Sequence, residues 1–200
     1  KVKEMLKLME TNISYSNKII NDLLDYSREI KLDLSETTAK SLISESLSLV
    51  EIPETVKISK LFGDVTSVKV DFEKIKRTFV NIIKNAVDAM LDGGTLTIES
   101  REVNGNLQLV FSDTGVGMSK ETLAKLWTPL FTTKAKGMGF GLPICKRIIE
   151  AHGGTISMKS AIRKGTVVTV TLPKEPKTEE GGEKIWMKPL ESSLLTTTRT

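Results

Sequence analysis

The residues best suited to chemistry in this sequence form a polar stripe on a predicted helix that is otherwise apolar. Asn81, Asn85 and Asp88 are spaced at i, i+4 and i+7, so they share one face of that helix. Hard cations such as Mg²⁺ take oxygen ligands, and an amide oxygen together with phosphate oxygens would suit one. The plain alternative is a solvated face, although such a face more often carries Glu and Lys. The residue types of the stripe therefore slightly favour a ligand-binding site over a solvated face.

A second feature is an acid followed by two glycines, directly after a predicted strand. Asp113 ends a largely apolar strand, and Gly115 and Gly117 give the backbone freedom to turn and let a flat ligand approach closely. A buried carboxylate at this place can accept a hydrogen bond from an exocyclic amine. The alternative is a strand-to-loop turn that is capped by the Asp.

Two lysines, Lys134 and Lys136, lie in a loop that leads to three alternate glycines, Gly137, Gly139 and Gly141. These glycines run straight into a predicted helix, whose unpaired backbone N–H groups and macrodipole favour an anion. The pattern is neither a Walker loop nor a Rossmann fingerprint. The oxygen-ligand helix, the amine-reading acid and the cationic glycine loop together predict a purine nucleoside triphosphate with Mg²⁺ as the ligand.

Composition excludes several other kinds of chemistry. The chain has 200 residues with one His and one Cys, whereas a zinc site needs about four ligands and a disulfide needs two cysteines. A histidine-based catalytic triad would have to use His152 alone, and Cys145 is expected to be a core thiol. A net charge of +4 spread along the chain does not argue for nucleic acid. With no apolar run of about 20 residues and no signal peptide, a cytoplasmic protein or fragment without membrane contact is expected.

The elements that must position these residues mix helix and strand patterns between about residues 34 and 173. Predicted helices cover residues 38–50, 71–90, 120–126 and 142–151, and predicted strands cover residues 56–62, 67–70, 95–103, 107–111, 155–159 and 166–172. Asp71 is a predicted N-cap, and Asn104-Gly105-Asn106 predicts a β-hairpin. Helices gathered on one side of a largely antiparallel sheet indicate the α+β class, as a two-layer α/β sandwich.

Residues 1–32 contain no Gly and no Pro and predict one long helix of the coiled-coil or bundle type. Apolar or small residues recur in alternating steps of four and three, the heptad seam of such a helix, at Val2, Leu6, Met9, Ile13, Ser16, Ile20, Leu23 and Ser27. A partial second stripe suits a bundle better than a two-stranded zipper. The helix must therefore pack on a partner helix, or, in the alternative, lie on its own globular domain.

The last segment, residues 174–200, is charged and then rich in Ser and Thr, and it lacks a sustained apolar period. This composition predicts a flexible tail. Trp186 and Leu190 offer the alternative of a loosely docked one.

Taken in order, the motifs resemble the four boxes of sensor histidine kinases. Residues 81–89 resemble the N box, residues 113–118 the first glycine box, residues 130–134 the F box and residues 137–142 the second glycine box. The resemblance implies a Bergerat-type ATP-binding fold, of the gyrase, chaperone, histidine kinase and MutL superfamily, over residues 33–173. Residues 20–28 resemble the end of the second helix of the dimerisation and phosphotransfer hairpin, so residues 1–32 are expected to be that helix.

The resemblance implies ATP and Mg²⁺ as ligands and assigns the polar stripe to the metal and phosphates. Asn85 would ligate the Mg²⁺ that bridges the phosphates. Asn81 would lie nearby as a catalytic residue that orders phosphate or water, and Asp88 would belong to the ATP-binding set.

The same resemblance assigns the base pocket. Asp113 would accept a hydrogen bond from the adenine amino group, and Gly115 and Gly117 would shape the pocket around the base. Thr166 would support Asp113 and the adenine through its hydroxyl.

The lid and the glycine loop would then hold the phosphates. Lys134 would be the catalytic contact from the lid, which Phe131 would anchor. The remaining ATP-binding positions are Gly137, Gly139, Gly141 and Leu142. One departure from the family pattern is Phe140, because Leu usually follows the second glycine.

The family reaction transfers the ATP γ-phosphoryl group to a His on the dimerisation hairpin and then to an Asp of a response regulator receiver domain. The hairpin helix that bears this His is missing here, and His152 is expected to be a structural residue at a helix end. The chain is therefore interpreted as a C-terminal fragment that binds Mg-ATP but does not phosphorylate itself. Its expected partners are a His-bearing hairpin, as a homodimer in the intact protein, and a response regulator, with no nucleic acid.

Two alternatives remain from the sequence. A serine kinase of the anti-sigma type needs no acceptor His, although a heptad helix is unexpected there. A non-catalytic ATP-binding module would use the long helix to recruit a partner. An ATPase of the gyrase, chaperone or mismatch-repair type would need a transducer domain that residues 174–200 do not supply.

Overall fold

The computed structural model describes residues 2–63, 67–134 and 139–175. The helices of this part are α1 (Val2–Ser27), α2 (Ala39–Ser48), α3 (Phe72–Asp88), α4 (Lys120–Lys125) and α5 (Gly141–Ala151). The strands are β1 (Ser35–Thr38), β2 (Val56–Phe62), β3 (Ser67–Val70), β4 (Gly94–Val103), β5 (Asn106–Asp113), β6 (Thr155–Ser160) and β7 (Thr166–Pro173). Apart from β1, each element was predicted within a few residues of its bounds.

A five-stranded sheet in the order β2-β4-β5-β7-β6 forms one layer of the domain. The pairs along β4, β5, β7 and β6 are antiparallel, whereas β2 pairs with β4 in parallel at the edge. The predicted hairpin joins β4 to β5, and its turn residues Asn104 and Gly105 have φ of +52° and +75°, as a type I′ turn requires. The α+β sandwich is confirmed.

The helices cover one face of this sheet. Alternate residues of β5 and β7 point to that face and are buried. Phe79 of α3 and Phe111 of β5 are both buried and their ring centroids lie 5.3 Å apart.

Two of the helices are capped by the side chain of the residue before their first turn. The carboxylate of Asp71 accepts the N–H of Lys74 and caps α3 as predicted, and Thr38 caps α2 in the same way.

The strand β1 was not predicted, because its sequence is short and polar. It pairs antiparallel with β3 in a separate two-stranded sheet. Residues 35–38 pair with residues 67–70, and α2 and β2 lie between them in the chain. A pairing over this distance leaves no local pattern in the sequence that could predict β1.

Helix α1 is long, as predicted, but ends at Ser27. Most of its predicted seam is exposed, with Ile13 at 62% and Leu23 at 53%. The alternative in which α1 lies along its own domain therefore does not describe this structure. Among the described side chains of α1, Tyr26 near its C-terminal end is half-buried and packs against the core of the domain. No helix of the described ranges is both long and apolar enough to cross a membrane.

The expectations for the tail beyond residue 175 fall outside the described residues.

Candidate nucleotide-binding site

Asp113 lies where strands β5 and β7 bring together two predicted site residues. The register pairs Asp113 with Thr166, and both side chains are nearly buried. The carboxylate oxygen Oδ1 accepts the N–H of Gly115 at 2.9 Å and the N–H of Thr166 at 3.1 Å. Burial raises the pKa of Asp113 above its ordinary value, and these two hydrogen bonds oppose that shift. Both bonds end on the same oxygen, so Oδ2 is the atom that can accept from a ligand.

The support of adenine by the Thr166 hydroxyl stays a prediction, and the structure shows a different contact between Thr166 and Asp113. Thr166 supports Asp113 through its backbone N–H, because the β5–β7 register places the two residues opposite each other. Its hydroxyl pairs instead with Ser160, at 3.0 Å.

Ser160 is a residue of this region that the sequence did not reveal. Its hydroxyl donates to the carbonyl of Gly165 at 2.8 Å and accepts the N–H of Met118 at 2.9 Å. It therefore ties the loop after Asp113 to the turn before β7. A serine at the end of a strand gives no sequence pattern that could predict this function.

The first glycine box is packed against backbone on both sides. A methyl group at Gly115 would lie 2.5 Å from the carbonyl oxygen of Ala89, which itself accepts the N–H of Val116. Gly117 has φ of +64° and lies against the carbonyl of Ala161, a position that a side chain would fill. These contacts hold the box between the end of α3 and the β6–β7 turn.

The polar stripe of α3 contacts Lys134, for which the sequence predicted a contact with phosphates. The ammonium of Lys134 donates to Oδ1 of Asn85 and to Oδ2 of Asp88, both at 2.7 Å. The amide of Asn85 in turn donates to Oδ1 of Asn81 at 2.9 Å. Lys134 and Asp88 are almost half exposed, so solvent and a ligand can reach this network. The amide oxygen expected to bind a metal thus already bonds a cationic group.

The donors at this place suit Mg²⁺, which prefers hard oxygen ligands. Within the described ranges, no group of three or more His, Cys, Asp or Glu side chains could hold a metal ion. A metal bound here would therefore rely on the Asn85 amide oxygen and on oxygens of a ligand such as phosphate. The carboxylate of Asp88 adds negative charge nearby.

The second glycine box leads into α5 with no side-chain cap, because Phe140 occupies the N-cap position. The first backbone N–H groups of α5 are thus left for other acceptors. Gly141 lies against Asn81, where a methyl group would come within 2.5 Å of the amide nitrogen. Gly139 lies against the backbone of Phe131.

Leu142 is half-buried in the first turn of α5. The predictions for Lys136 and Gly137 fall outside the described residues.

His152 and Cys145 are buried residues of the fold, as expected. Nε2 of His152 accepts the N–H of Asp71 at 2.9 Å, so the proton is on Nδ1, which donates to the carbonyl of Ile148 at 2.7 Å. Burial lowers the pKa of His152, so the ring is neutral. Burial also raises the pKa of the Cys145 thiol to about 12 and keeps it protonated.

Comparison with known proteins assigns the family. Residues 70–176 match the model of the histidine kinase-, DNA gyrase B- and HSP90-like ATPases, which is more than half of the chain. The chain belongs to this family. All of the proposed site residues lie within the matched range of this ATPase domain.

Relatives and solved structures within the family point to sensor histidine kinases. The chain is 31% identical to sensor histidine kinase ZraS of Salmonella typhi over 85% of this chain and 38% of that protein. It is 29% identical to the catalytic domain of histidine kinase ThkA, with a TM-score of 0.65 over 72% of this chain and 97% of that one. A structure of ThkA with the response regulator protein TrrA matches at 26% identity and a TM-score of 0.73, over 89% of this chain and 53% of that one. The chain thus spans about two fifths of the length of ZraS.

Proposed function

We propose that this chain binds Mg-ATP and that the intact protein is a protein-histidine kinase. The observation that carries the proposal is the meeting of Lys134, Asn85 and Asp88 beside the uncapped start of α5. A polyphosphate is bound by a cation, by an oxygen that can ligate Mg²⁺ and by backbone N–H groups. The Lys134 ammonium, the Asn85 amide oxygen and the start of α5 offer these three kinds of group.

The base end supports ATP as the nucleotide. Oδ1 of Asp113 is occupied by two backbone N–H groups, which fixes the orientation of the carboxylate. Oδ2 then accepts one hydrogen of the adenine amino group. Guanine presents a carbonyl oxygen at the corresponding position, and a carboxylate repels it, so the pocket favours adenine.

At the phosphate end, Lys134 exchanges its partners when the ligand binds. The ammonium leaves Asn85 and Asp88 and donates to phosphate oxygens, which frees Oδ1 of Asn85 for Mg²⁺. The metal ion, when bound, neutralises charge that develops on the β- and γ-phosphates. Asn81 remains close enough to order a phosphate oxygen or a water, and the N–H groups near Gly139 and Gly141 hold the phosphates.

The acceptor is a His on a separate helix. The unprotonated imidazole nitrogen attacks the γ-phosphorus, the bond from that phosphorus to the β–γ bridging oxygen breaks, ADP leaves, and the proton on the other imidazole nitrogen passes to solvent. His152 does not serve, because both of its nitrogens are engaged in the buried core.

The exposed seam of α1 is where the His-bearing hairpin is proposed to pack. Side chains such as Met9, Ile13 and Ile20 are more than half exposed and follow the heptad spacing of a helical bundle. A four-helix bundle formed by two copies of the intact protein would bury them. The response regulator is the proposed second partner, in line with the complex of the related ThkA with TrrA.

Phosphotransfer in trans tests the proposal. The purified chain is mixed with radiolabelled ATP, Mg²⁺ and a dimerising hairpin that carries the acceptor His, and acid-labile label is expected on the hairpin alone. The same mixture with Asp113→Asn is the matched control and should give little label. Acid-labile label that requires His152 of this chain would contradict the proposal.

Two other outcomes identify the alternatives. Acid-stable phosphate on a Ser of a partner protein would indicate a serine kinase of the anti-sigma type. Nucleotide binding without any transfer to the hairpin would indicate a non-catalytic module.

A further inference from the structure

The C-terminal end of α1 packs against the glycine loop of the candidate nucleotide site, at residues 139–141. The rings of Tyr26 and Phe140 lie 5.7 Å apart between centroids and are tilted by 50°. This distance and tilt are typical of attractive aromatic pairs. Phe140 is only 3% exposed, so Tyr26 covers a side chain that is anchored in the core. Phe140 is also the position where this chain departs from the Leu expected in its glycine box.

Phe140 lies between two glycines that both contact the phosphate end. On one side, Gly139 packs so closely on Phe131 of the lid that a methyl group would lie 2.5 Å from its carbonyl oxygen. On the other side, Gly141 packs equally closely on the amide of Asn81. Because Phe140 is bonded to both glycines, a shift of Phe140 changes the packing of the loop on Phe131 and on Asn81.

Tyr26 is itself fixed to the helix that starts at this loop. The guanidinium of Arg147, on α5, lies 5.2 Å from the centroid of the Tyr26 ring and donates to the carbonyl of Arg28 at 3.0 Å. Ile30 packs against the core just beyond. The end of α1 therefore packs on the N-cap and the middle of α5, whereas the preceding seam residue Leu23 is exposed.

We propose that Tyr26 and Phe140 are positioning residues for the nucleotide, through which the placement of α1 sets the affinity of the site. A movement of α1 that withdraws Tyr26 releases Phe140 and loosens the glycine loop that holds the phosphates. The coupling is reciprocal, so a bound nucleotide also tightens the end of α1. The inference rests on the proposed binding of ATP and is independent of phosphotransfer.

The first test measures the dissociation constant of Mg-ADP by calorimetry. Tyr26→Ala is expected to weaken binding by up to about tenfold, the limit that the full energy of one aromatic pair sets. Tyr26→Phe keeps the ring and should bind as the original chain does. Asn17→Ala, at an exposed position of the same helix, is the matched control and should also leave binding unchanged.

A double-mutant cycle then separates coupling from general damage. Phe140→Leu should weaken binding, and adding Tyr26→Ala to it should cause little further loss, since the pair is already broken. Fully additive losses, or a loss in Tyr26→Phe as large as in Tyr26→Ala, would overturn the inference.

Hydrogen exchange gives a readout that a purely structural contact would not move. Mg-ADP should slow exchange of the amides of residues 24–30 in the original chain but much less in Phe140→Leu. If the original chain binds Mg-ADP and Tyr26→Ala binds it equally well, the positioning role is wrong and the proposed function stands. If the original chain binds no nucleotide, the proposed function fails and the positioning role fails with it.

Discussion

The base end and the phosphate end of the candidate site are built in different ways. At the base end, Asp113 is buried and held by two backbone N–H groups that strand pairing and a packed loop set in place. At the phosphate end, Lys134 and Asp88 are almost half exposed and bond each other. The first arrangement is ready for its ligand, whereas the second must give up an ion pair and a hydrogen bond. We therefore expect the base end to supply specificity and the phosphate end to respond to metal and charge.

The largest expected effect comes from breaking the base end. Asp113→Asn keeps the shape of the side chain but replaces an accepting oxygen by an amide that also donates. We expect about 10- to 100-fold weaker binding of ADP, from the loss of a hydrogen bond to a charged group. Calorimetry with ADP measures it, and GDP is the control, because the preference for adenine should fall too. Unchanged affinity for ADP would remove Asp113 from the base pocket.

The next effect concerns the metal at the phosphate end. Asn85→Ala removes the oxygen proposed to bind Mg²⁺, so the gain in ATP affinity on adding Mg²⁺ should fall about tenfold. Binding of ATP in EDTA should change little, which makes the metal-free titration the internal control. A variant that keeps the full Mg²⁺-dependent gain would place the metal elsewhere.

A smaller effect is expected from the lid. Lys134→Met removes a partly exposed ammonium, so ATP affinity should fall by about three- to fivefold, and its dependence on salt should weaken. Because Lys134 first has to leave Asp88, part of its attraction for phosphate is already offset. Lys57→Met, at an exposed position on β2, is the control and should bind ATP normally. A loss as large as that of Asp113→Asn would contradict the contrast between the two ends.

The smallest effect concerns the framework behind the phosphate end. His152 joins the start of α3 to the end of α5, and burial lowers its pKa in the folded chain below the ordinary value of 6.5. Below about pH 6.5 the unfolded chain therefore binds a proton that the folded chain does not. The free energy of unfolding then decreases as the pH is lowered. The nearby Asp71 and Lys74 oppose each other in this shift, Asp71 raising the pKa and Lys74 lowering it.

Melting temperatures measured between pH 8 and pH 5 check this expectation. The original chain should lose stability in the acidic half of that range more steeply than His152→Gln, whose side chain does not titrate. Equal slopes for the two chains would mean that His152 contributes nothing to the pH dependence.

The sequence predicted the local parts of the structure well. The stripe of Asn81, Asn85 and Asp88 follows from helical spacing, and the Asp71 cap and the Asn104–Gly105 turn follow from the chemistry of single residues. These features depend on neighbours within a few positions. The box motifs added the expectation that Lys134 would reach the same place.

The parts that the sequence did not predict depend on long-range register. The parallel pairing of β2 with β4 and the short strand β1 need partners that only the folded chain supplies. The same holds for the contact between the backbone N–H of Thr166 and the Asp113 carboxylate, which depends on the register of β5 with β7. Ser160 acts through Met118, which is 42 residues away in the chain.

The way in which His152 is held has a consequence for the reactivity of its imidazole. Its two ring nitrogens are both committed to backbone groups inside the core, so the chain offers no imidazole to an incoming phosphoryl group or to an imidazole-directed reagent such as diethyl pyrocarbonate. We therefore expect His152 to stay unmodified by diethyl pyrocarbonate until the domain unfolds, so that its modification would report unfolding.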